Sequence, residues 1–160
     1  MRQVFLLQAK PFSINAMHYS DARTKTTEYR EWTAQILHQL GSPSNAAKFK
    51  LLREKFDPKL HDYSVHLVAK YPKEIFNTKE GLLSSRTIDC SNWEKPLVDL
   101  FFDKQFFDRP SPFGCENLNT NDKYITRLYS TKREGTKSEL YVAIKIVART
   151  GQIQCHEEPG

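Results

Sequence analysis

The chain has 160 residues, of which 39% are hydrophobic and 12% aromatic, and this composition excludes an intrinsically disordered protein. The length predicts one domain that buries a substantial core. Lys and Arg number 24 against 19 Asp and Glu, so the net charge is +5. Such a charge permits binding to a polyanion without requiring it.

Hydropathy and cysteine usage bear on the compartment. The apolar run at residues 4–7 is too short for a secretory signal or a membrane span. The three cysteines include no C-x-x-C pair, which is typical of reduced thiols. The sequence also lacks the closely spaced pairs of ligands that a structural zinc site requires, so no such site is expected. We therefore expect a cytoplasmic protein with no membrane partner.

Hydrophobic periodicity and capping residues predict the order of the secondary-structure elements. In the first part of the chain they predict a strand at residues 2–8, a loop at 11–25, a helix that Thr26 or Thr27 caps and Gly41 ends, a turn at 42–45, and a second amphipathic helix. In the second part they predict a strand at residues 62–71, a polar mobile loop at 73–86, a helix from Asn92 to about residue 107, a long loop at 108–121, a strand at 122–131, a hairpin turn at 132–137, and a final strand at 140–146.

This order of elements predicts an α/β (or α+β) fold. Residues 1–150 are expected to form a single domain in which helices cover one side of a mixed β-sheet, and residues 151–160 a polar, flexible tail. An architecture of this kind does not by itself name a function.

The stretch at residues 87–102 concentrates polar side chains where an extended segment turns into a helix. If Asn92 is the N-cap, Pro96 lies close enough to the first turn to be tolerated. Asp89, Asn92 and Lys95 then gather at a helix N-terminus, whose free amide groups suit an anion such as phosphate.

Three parts of the sequence together resemble a known family. Residues 89–99 read D-C-S-N-W-E-K-P-L-V-D, residues 121–122 read N-D, and residues 13–15 before the first helix read S-I-N. Their order and spacing resemble the RusA-type Holliday-junction resolvases, small dimeric endonucleases frequent in phages and prophages. That family carries D-x-D-N-x-x-K followed by an Asp four residues later, a downstream D-D or N-D, and an S-N-N type loop. The resemblance runs from residue 13 to residue 132 and implies a RusA-like fold.

One position departs from the family pattern. Ser91 stands where the family has its second acidic residue, and Mg²⁺ prefers carboxylate and water oxygens. A serine hydroxyl or its water can complete a ligand shell, and Glu94 or Asp62 are alternative third ligands.

The resemblance implies Mg²⁺-dependent hydrolysis of a phosphodiester bond at a four-way DNA junction, with Mn²⁺ as a substitute metal. It implies that Asp89 and Asp122 hold the metal together with Ser91, that Lys95 stabilises charge on the scissile phosphate, and that Asn92 orients the ligands.

The same resemblance implies the partners. A homodimer would present two sites to opposite strands of branched DNA, in the cytoplasm of a bacterial or phage-infected cell. The side chains expected to contact DNA phosphates are Arg86, Lys79, Arg23, Lys25 and Lys132.

Other interpretations remain open beside this one. Asp99 is expected to be a surface charge or an ion-pair partner rather than a ligand. A non-catalytic protein that binds branched DNA would account directly for Ser91. A basic RNA- or protein-binding module would show no preference for junctions.

Overall fold

A computed structural model of the protein describes residues 1–17, 26–103 and 117–149. Its regular elements are β1 (Arg2–Leu7), α1 (Thr27–Leu40), α2 (Pro43–Lys55), β2 (His61–Pro72), α3 (Lys73–Phe76), α4 (Cys90–Phe102), β3 (Ile125–Gly135) and β4 (Glu139–Ala148), with 3₁₀ turns at Ile14–Ala16 and Asp122–Tyr124. The predicted fold class is confirmed, because the described residues form one mixed sheet with helices packed against it. The expected tail and residues 108–116 of the long loop lie outside the described residues.

The four described strands lie in the order β1-β4-β2-β3. β4 is antiparallel to both β1 and β2, whereas β3 is parallel to β2. The predicted hairpin at residues 132–137 is therefore wrong, because β2 lies between β3 and β4 and β3 continues to Gly135. The chain passes close to β2 there: a Cβ at Gly135 would lie 3.2 Å from Lys70 Cβ, so the crossing favours glycine.

The core lies between one face of the sheet and the helices α1, α2 and α4. Three aromatic rings meet at its centre, one each from β1, α2 and α4. Phe5 lies 4.6 Å from Phe49 and 5.1 Å from Phe101 between ring centroids, and all three side chains are buried. Alternation along β2 adds buried side chains such as Val65 and Leu67, so one face of the sheet is apolar.

The first helix follows its sequence signals. Thr26 caps α1 by accepting a hydrogen bond from Tyr29 N, and Gly41 ends it. The turn predicted at residues 42–45 is wrong, because Ser42 caps α2 and Pro43 occupies its first position. A cap followed by proline is a helix-start signal as well as a turn signal, and here it starts a helix.

Residues 73–86 were expected to form a mobile loop, but the structure gives them defined backbone pairing. α3 occupies the first turn, a bridge pairs Asn77 with Leu83, and Gly81 turns the chain with φ +81°. Ser84 N donates to Phe76 O, and the Arg86 guanidinium donates to Glu74 O. These local hydrogen bonds are not visible as periodicity in the sequence.

The helix that carries the motif starts earlier than predicted and ends earlier too. α4 begins at Cys90 with Asp89 as N-cap, so Asn92 lies inside the first turn and does not cap the helix. Pro96 is consequently in the helix interior, where it cannot donate to Asn92 O. Burial of Trp93, Leu97 and Leu100 stabilises the helix despite that loss. α4 ends at Phe102 rather than near residue 107.

The predicted strand at residues 122–131 also changes at its start, since Asp122–Tyr124 is a 3₁₀ turn and β3 begins at Ile125. In the part of the chain that the structure describes, every helix is too short or too polar to cross a membrane.

We expect Leu67→Ala to lower the free energy of unfolding by about 2–5 kcal/mol, because the side chain is fully buried in the central strand and its removal leaves a cavity. Leu82→Ala is the matched control: this leucine is 66% exposed, so its change should stay within about 0.5 kcal/mol. Urea unfolding measures both. Equal losses for the two variants would contradict the assigned core.

Candidate metal and phosphodiester site

The C-terminal end of α4 is held by residues 117–120, which return alongside its last turn. The buried side chain of Asn117 donates from Nδ2 to Leu100 O and Asp103 O, at 3.2 and 2.9 Å. Leu118 N donates to Phe101 O and Thr120 N to Phe102 O, at 3.0 and 3.2 Å. The last carbonyl groups of a helix lack partners within it, so this segment supplies the donors that they need.

The same segment then places Asp122. Asn119 adopts φ +48°, a left-handed conformation that asparagine tolerates better than most residues. The Asn121 side chain accepts a hydrogen bond from Lys123 N and so caps the 3₁₀ turn that Asp122 begins. Asp122 is exposed at the start of this turn, next to the C-terminal half of α4.

A cavity of about 420 Å³ opens between α4 and this segment. Its lining is polar and contains three carboxylates and one ammonium group. The lining residues are Lys95, Asp99, Phe102, Asp103, Asn119, Thr120, Asn121 and Asp122. We call this cavity the aspartate cavity.

Asp99 forms an ion pair with Lys95 in this cavity. Lys95 Nζ lies 3.2 Å from Asp99 Oδ1, and the Asp99 side chain is 15% exposed. The expected ion-pair role of Asp99 is thus confirmed, but the group is largely buried rather than a surface charge. Burial raises the pKa of Asp99; Lys95 opposes this effect, and the charges of Asp103 and Asp122 add to it.

The structure brings some of the predicted site residues together and separates others. Lys95 and Asp122 line the aspartate cavity, whereas Asp89, Ser91 and Asn92 do not. Asp89 lies ten residues before Asp99, about 15 Å along the helix axis. Asp89 therefore lies outside the aspartate cavity, and its sharing of a metal ion with Asp122 stays a prediction.

The two alternative third ligands also lie outside the cavity. Glu94 accepts a hydrogen bond from Ser130 Oγ at 2.5 Å. Asp62 is buried at the start of β2 and pairs with Arg149 at 3.8 Å. Neither residue lines the aspartate cavity beside Asp122.

The N-terminal part of the family pattern lies beside α4. Ser13 Oγ accepts a hydrogen bond from Asn15 N, and the 3₁₀ turn that follows Ser13 packs against α4. All three sequence segments that carry the resemblance therefore meet on one helix.

The predicted DNA contacts differ in their surroundings. Lys79 is exposed at the tip of the segment between α3 and α4. Arg86 is exposed but its guanidinium also holds that segment through Glu74 O and Ser84 Oγ. Lys132 is half-buried and donates to Thr87 Oγ1 at 3.0 Å, close to the start of α4. Arg23 and Lys25 lie outside the described residues.

Sequence reasoning missed Asp103. Its signal was a spacing of four residues, since Lys95, Asp99 and Asp103 recur at i, i+4 and i+8 and lie on one side of α4. The sequence analysis gave Asp103 no role, although the predicted helix included it. In the structure it is the C-cap and lines the cavity.

Within residues 1–17, 26–103 and 117–149, no three His, Cys, Asp or Glu side chains are grouped closely enough to hold a metal ion by themselves. Comparisons with protein-family models and with curated proteins find no match to this chain.

We expect Asp99→Asn to change the pH dependence of stability. Because the pKa of Asp99 is raised above its ordinary value of 3.8, the folded state keeps this proton longer than the unfolded chain does. The wild type therefore loses stability as pH rises from that value through the raised pKa. Asparagine has no proton to lose, so the unfolding free energy of the variant, relative to wild type, should increase over the same range.

Urea unfolding at several pH values measures this difference. Leu82→Ala is the control, because this exposed leucine carries no titratable group, and its difference from wild type should not change with pH. A difference for Asp99→Asn that does not vary with pH would contradict the environment described for Asp99.

Proposed function

We propose that this protein is a metal-dependent DNA endonuclease that cuts four-way junctions, as its resemblance to the RusA-type resolvases implies. One observation carries the proposal. Lys95 and the Asp four residues later line a single cavity with residues 121–122, although more than 20 residues separate these parts in sequence. Two separate parts of the family motif thus meet around one space.

The donor chemistry of the aspartate cavity fits Mg²⁺ or Mn²⁺. Asp99, Asp103 and Asp122 supply hard carboxylate oxygens, and the C-terminal end of α4 adds partial negative charge. Burial is the largest cause of the raised pKa of Asp99, and the charges of Asp103 and Asp122 add to it against the effect of Lys95. Mg²⁺ keeps several waters and takes only one or two carboxylates directly, so a preformed group of three ligands is not required.

Asp99 and Asp122 would hold the ion. When bound, it polarises the scissile phosphate and lowers the pKa of the attacking water. Lys95 contributes a cation at the mouth of the cavity, where its half-exposed ammonium can reach a phosphate oxygen and stabilise charge in the transition state. Asp99 positions Lys95 through their ion pair, because a long side chain that is paired samples fewer orientations. Asn121 fixes the turn that presents Asp122.

A homodimer with two-fold symmetry would present two such cavities to opposite strands, which matches the symmetry of the junction. We propose that it acts in the cytoplasm of a bacterial or phage-infected cell, in keeping with cysteines that form no C-x-x-C pair.

The second candidate is a protein that binds branched DNA without cutting it. It is favoured by Ser91, which replaces a family carboxylate, and by the distance between Asp89 and the aspartate cavity. The two candidates differ in one result, which is metal-dependent cleavage. The third, an RNA- or protein-binding module, differs from both in having no preference for junctions.

We expect the purified protein to introduce paired nicks into a labelled four-way junction with Mg²⁺ and none with EDTA. Lys95→Gln should slow cleavage by about 10²–10³-fold, the loss seen when one donor to a transition-state oxyanion is removed. Asp122→Asn should abolish cleavage while junction binding in EDTA persists. Lys55→Gln and Asp57→Asn are the matched controls, because both lie outside the aspartate cavity and should cut normally.

Tight junction binding without cleavage in Mg²⁺ or Mn²⁺ would reject the endonuclease in favour of the binding protein, and equal affinity for junction, duplex and single strand would reject both. Asp89→Asn separates two arrangements of the site. Normal cleavage would assign the chemistry to the aspartate cavity of one chain. Loss of cleavage with a stable fold would assign Asp89 a part in the reaction from outside the aspartate cavity.

A further inference from the structure

The described helices α1, α2 and α4 pack on one side of the sheet and leave its other side uncovered. Alternation along each strand points Phe5, Leu67 and Val142 into the core, so their neighbours point the other way. We call the outward side the open face. It includes Val4 on β1, Val68 on β2 and Ala143 on β4.

Two rows of paired residues on the open face are basic. Directly paired residues point to the same side of a sheet, so the strand register defines each row. The first row crosses all four strands and contains Arg2, Lys145, Ser64 and Arg127. The second row contains Glu139, Lys70 and Arg133. Six residues separate the rows along a strand, a distance of about 20 Å.

The five cations of these rows have no acidic partner at ion-pair distance among the described residues. Two carboxylates on the same side are already engaged: Asp62 pairs with Arg149, and Glu139 accepts a hydrogen bond from Gln8 Nε2. The open face therefore keeps a net positive charge that its own side chains do not neutralise.

The surface between the rows is aromatic and contains a depression of about 320 Å³. Lys70 Nζ lies 4.7 Å above the Tyr141 ring, and His66 contacts Thr131 Oγ1 at 3.0 Å. Tyr129 is 54% exposed beside His66. Tyrosine and histidine side chains can donate hydrogen bonds to phosphate and sugar oxygens.

The charge of the open face distinguishes two candidate partners, a second copy of the chain and DNA. A second copy of the chain, related by a two-fold axis on this face, would bring the unpaired cations of both copies together, which is unfavourable. The phosphate backbone of DNA has the opposite charge, and two basic rows about 20 Å apart can follow its two strands.

We propose that the open face binds the backbone of a duplex arm of branched DNA. The proposal rests on the proposed function for its substrate. α4 and the aspartate cavity lie on the opposite side of the sheet, so the arm on the open face is a different arm from the one that enters the cavity. Contacts to backbone alone carry no base sequence, so this surface contributes affinity and orientation rather than sequence preference.

The test is Arg127→Gln combined with Arg133→Gln, which removes one exposed cation from each row on the edge strand β3. Junction binding is measured in EDTA over a range of salt concentrations. The slope of log affinity against log salt should fall by about two units, because each phosphate contact contributes about 0.9. Arg30→Gln combined with Lys55→Gln changes the net charge equally, but on exposed positions of α1 and α2, and should leave the slope unchanged.

An unchanged slope for the β3 variant, with its thermal unfolding and sedimentation like wild type, would overturn the proposal. A variant that changes the oligomeric state and leaves the slope unchanged would instead assign the face to self-association and overturn it too. Metal-dependent cleavage at saturating protein is measured on the same samples. If the wild type cuts junctions and the two double variants show the same slope, only the proposal for the open face is rejected. If the wild type binds junctions but never cuts them, only the proposed endonuclease activity is rejected.

Discussion

The carbonyl groups at the C-terminal end of α4 are the constraint on which the candidate site depends. They need donors, and residues 117–120 provide them through the Asn117 side chain and two backbone amides. These hydrogen bonds hold residues 117–120 against the end of the helix. Asp122 lies near Asp99 as a result, and the aspartate cavity is the space that the two leave between them.

The same helix separates two kinds of chemistry. Its N-terminal end offers free amide groups and Asp89, and its C-terminal end gathers three aspartates around partial negative charge. An anion suits the first end and a cation the second, with Lys95 on the helix between them. The sheet adds a third surface on its far side, where five cations have no acidic partner at ion-pair distance among the residues that the structure describes. The metal ion and the two lengths of nucleic acid backbone that we propose would therefore occupy separate parts of the fold.

The fold class, α1 and the central strand could be predicted because each rests on local pattern: alternation along β2, a Thr cap and a Gly stop. The order of the strands could not, because the position of β2 between β3 and β4 depends on long-range pairing that no turn motif encodes. For the site, the sequence predicted Asp89, Asp122 and Lys95 together; in the structure Lys95 and Asp122 line the aspartate cavity and Asp89 does not. The predicted start of α4 at Asn92 rests on its capping side chain and leaves Pro96 close to the first turn. In the structure α4 begins at Cys90, and buried side chains stabilise the helix around Pro96 in its interior.

The most direct measurement of the central claim locates the metal. Mn²⁺ added to isotopically labelled protein broadens the amide resonances nearest to its binding site. We expect selective broadening at Asp99 and at residues 119–122, little effect at residues 89–92, and loss of the broadening in Asp122→Asn. Broadening centred on residues 89–92, or none at any Mn²⁺ concentration that leaves the protein folded, would contradict a metal site in the aspartate cavity.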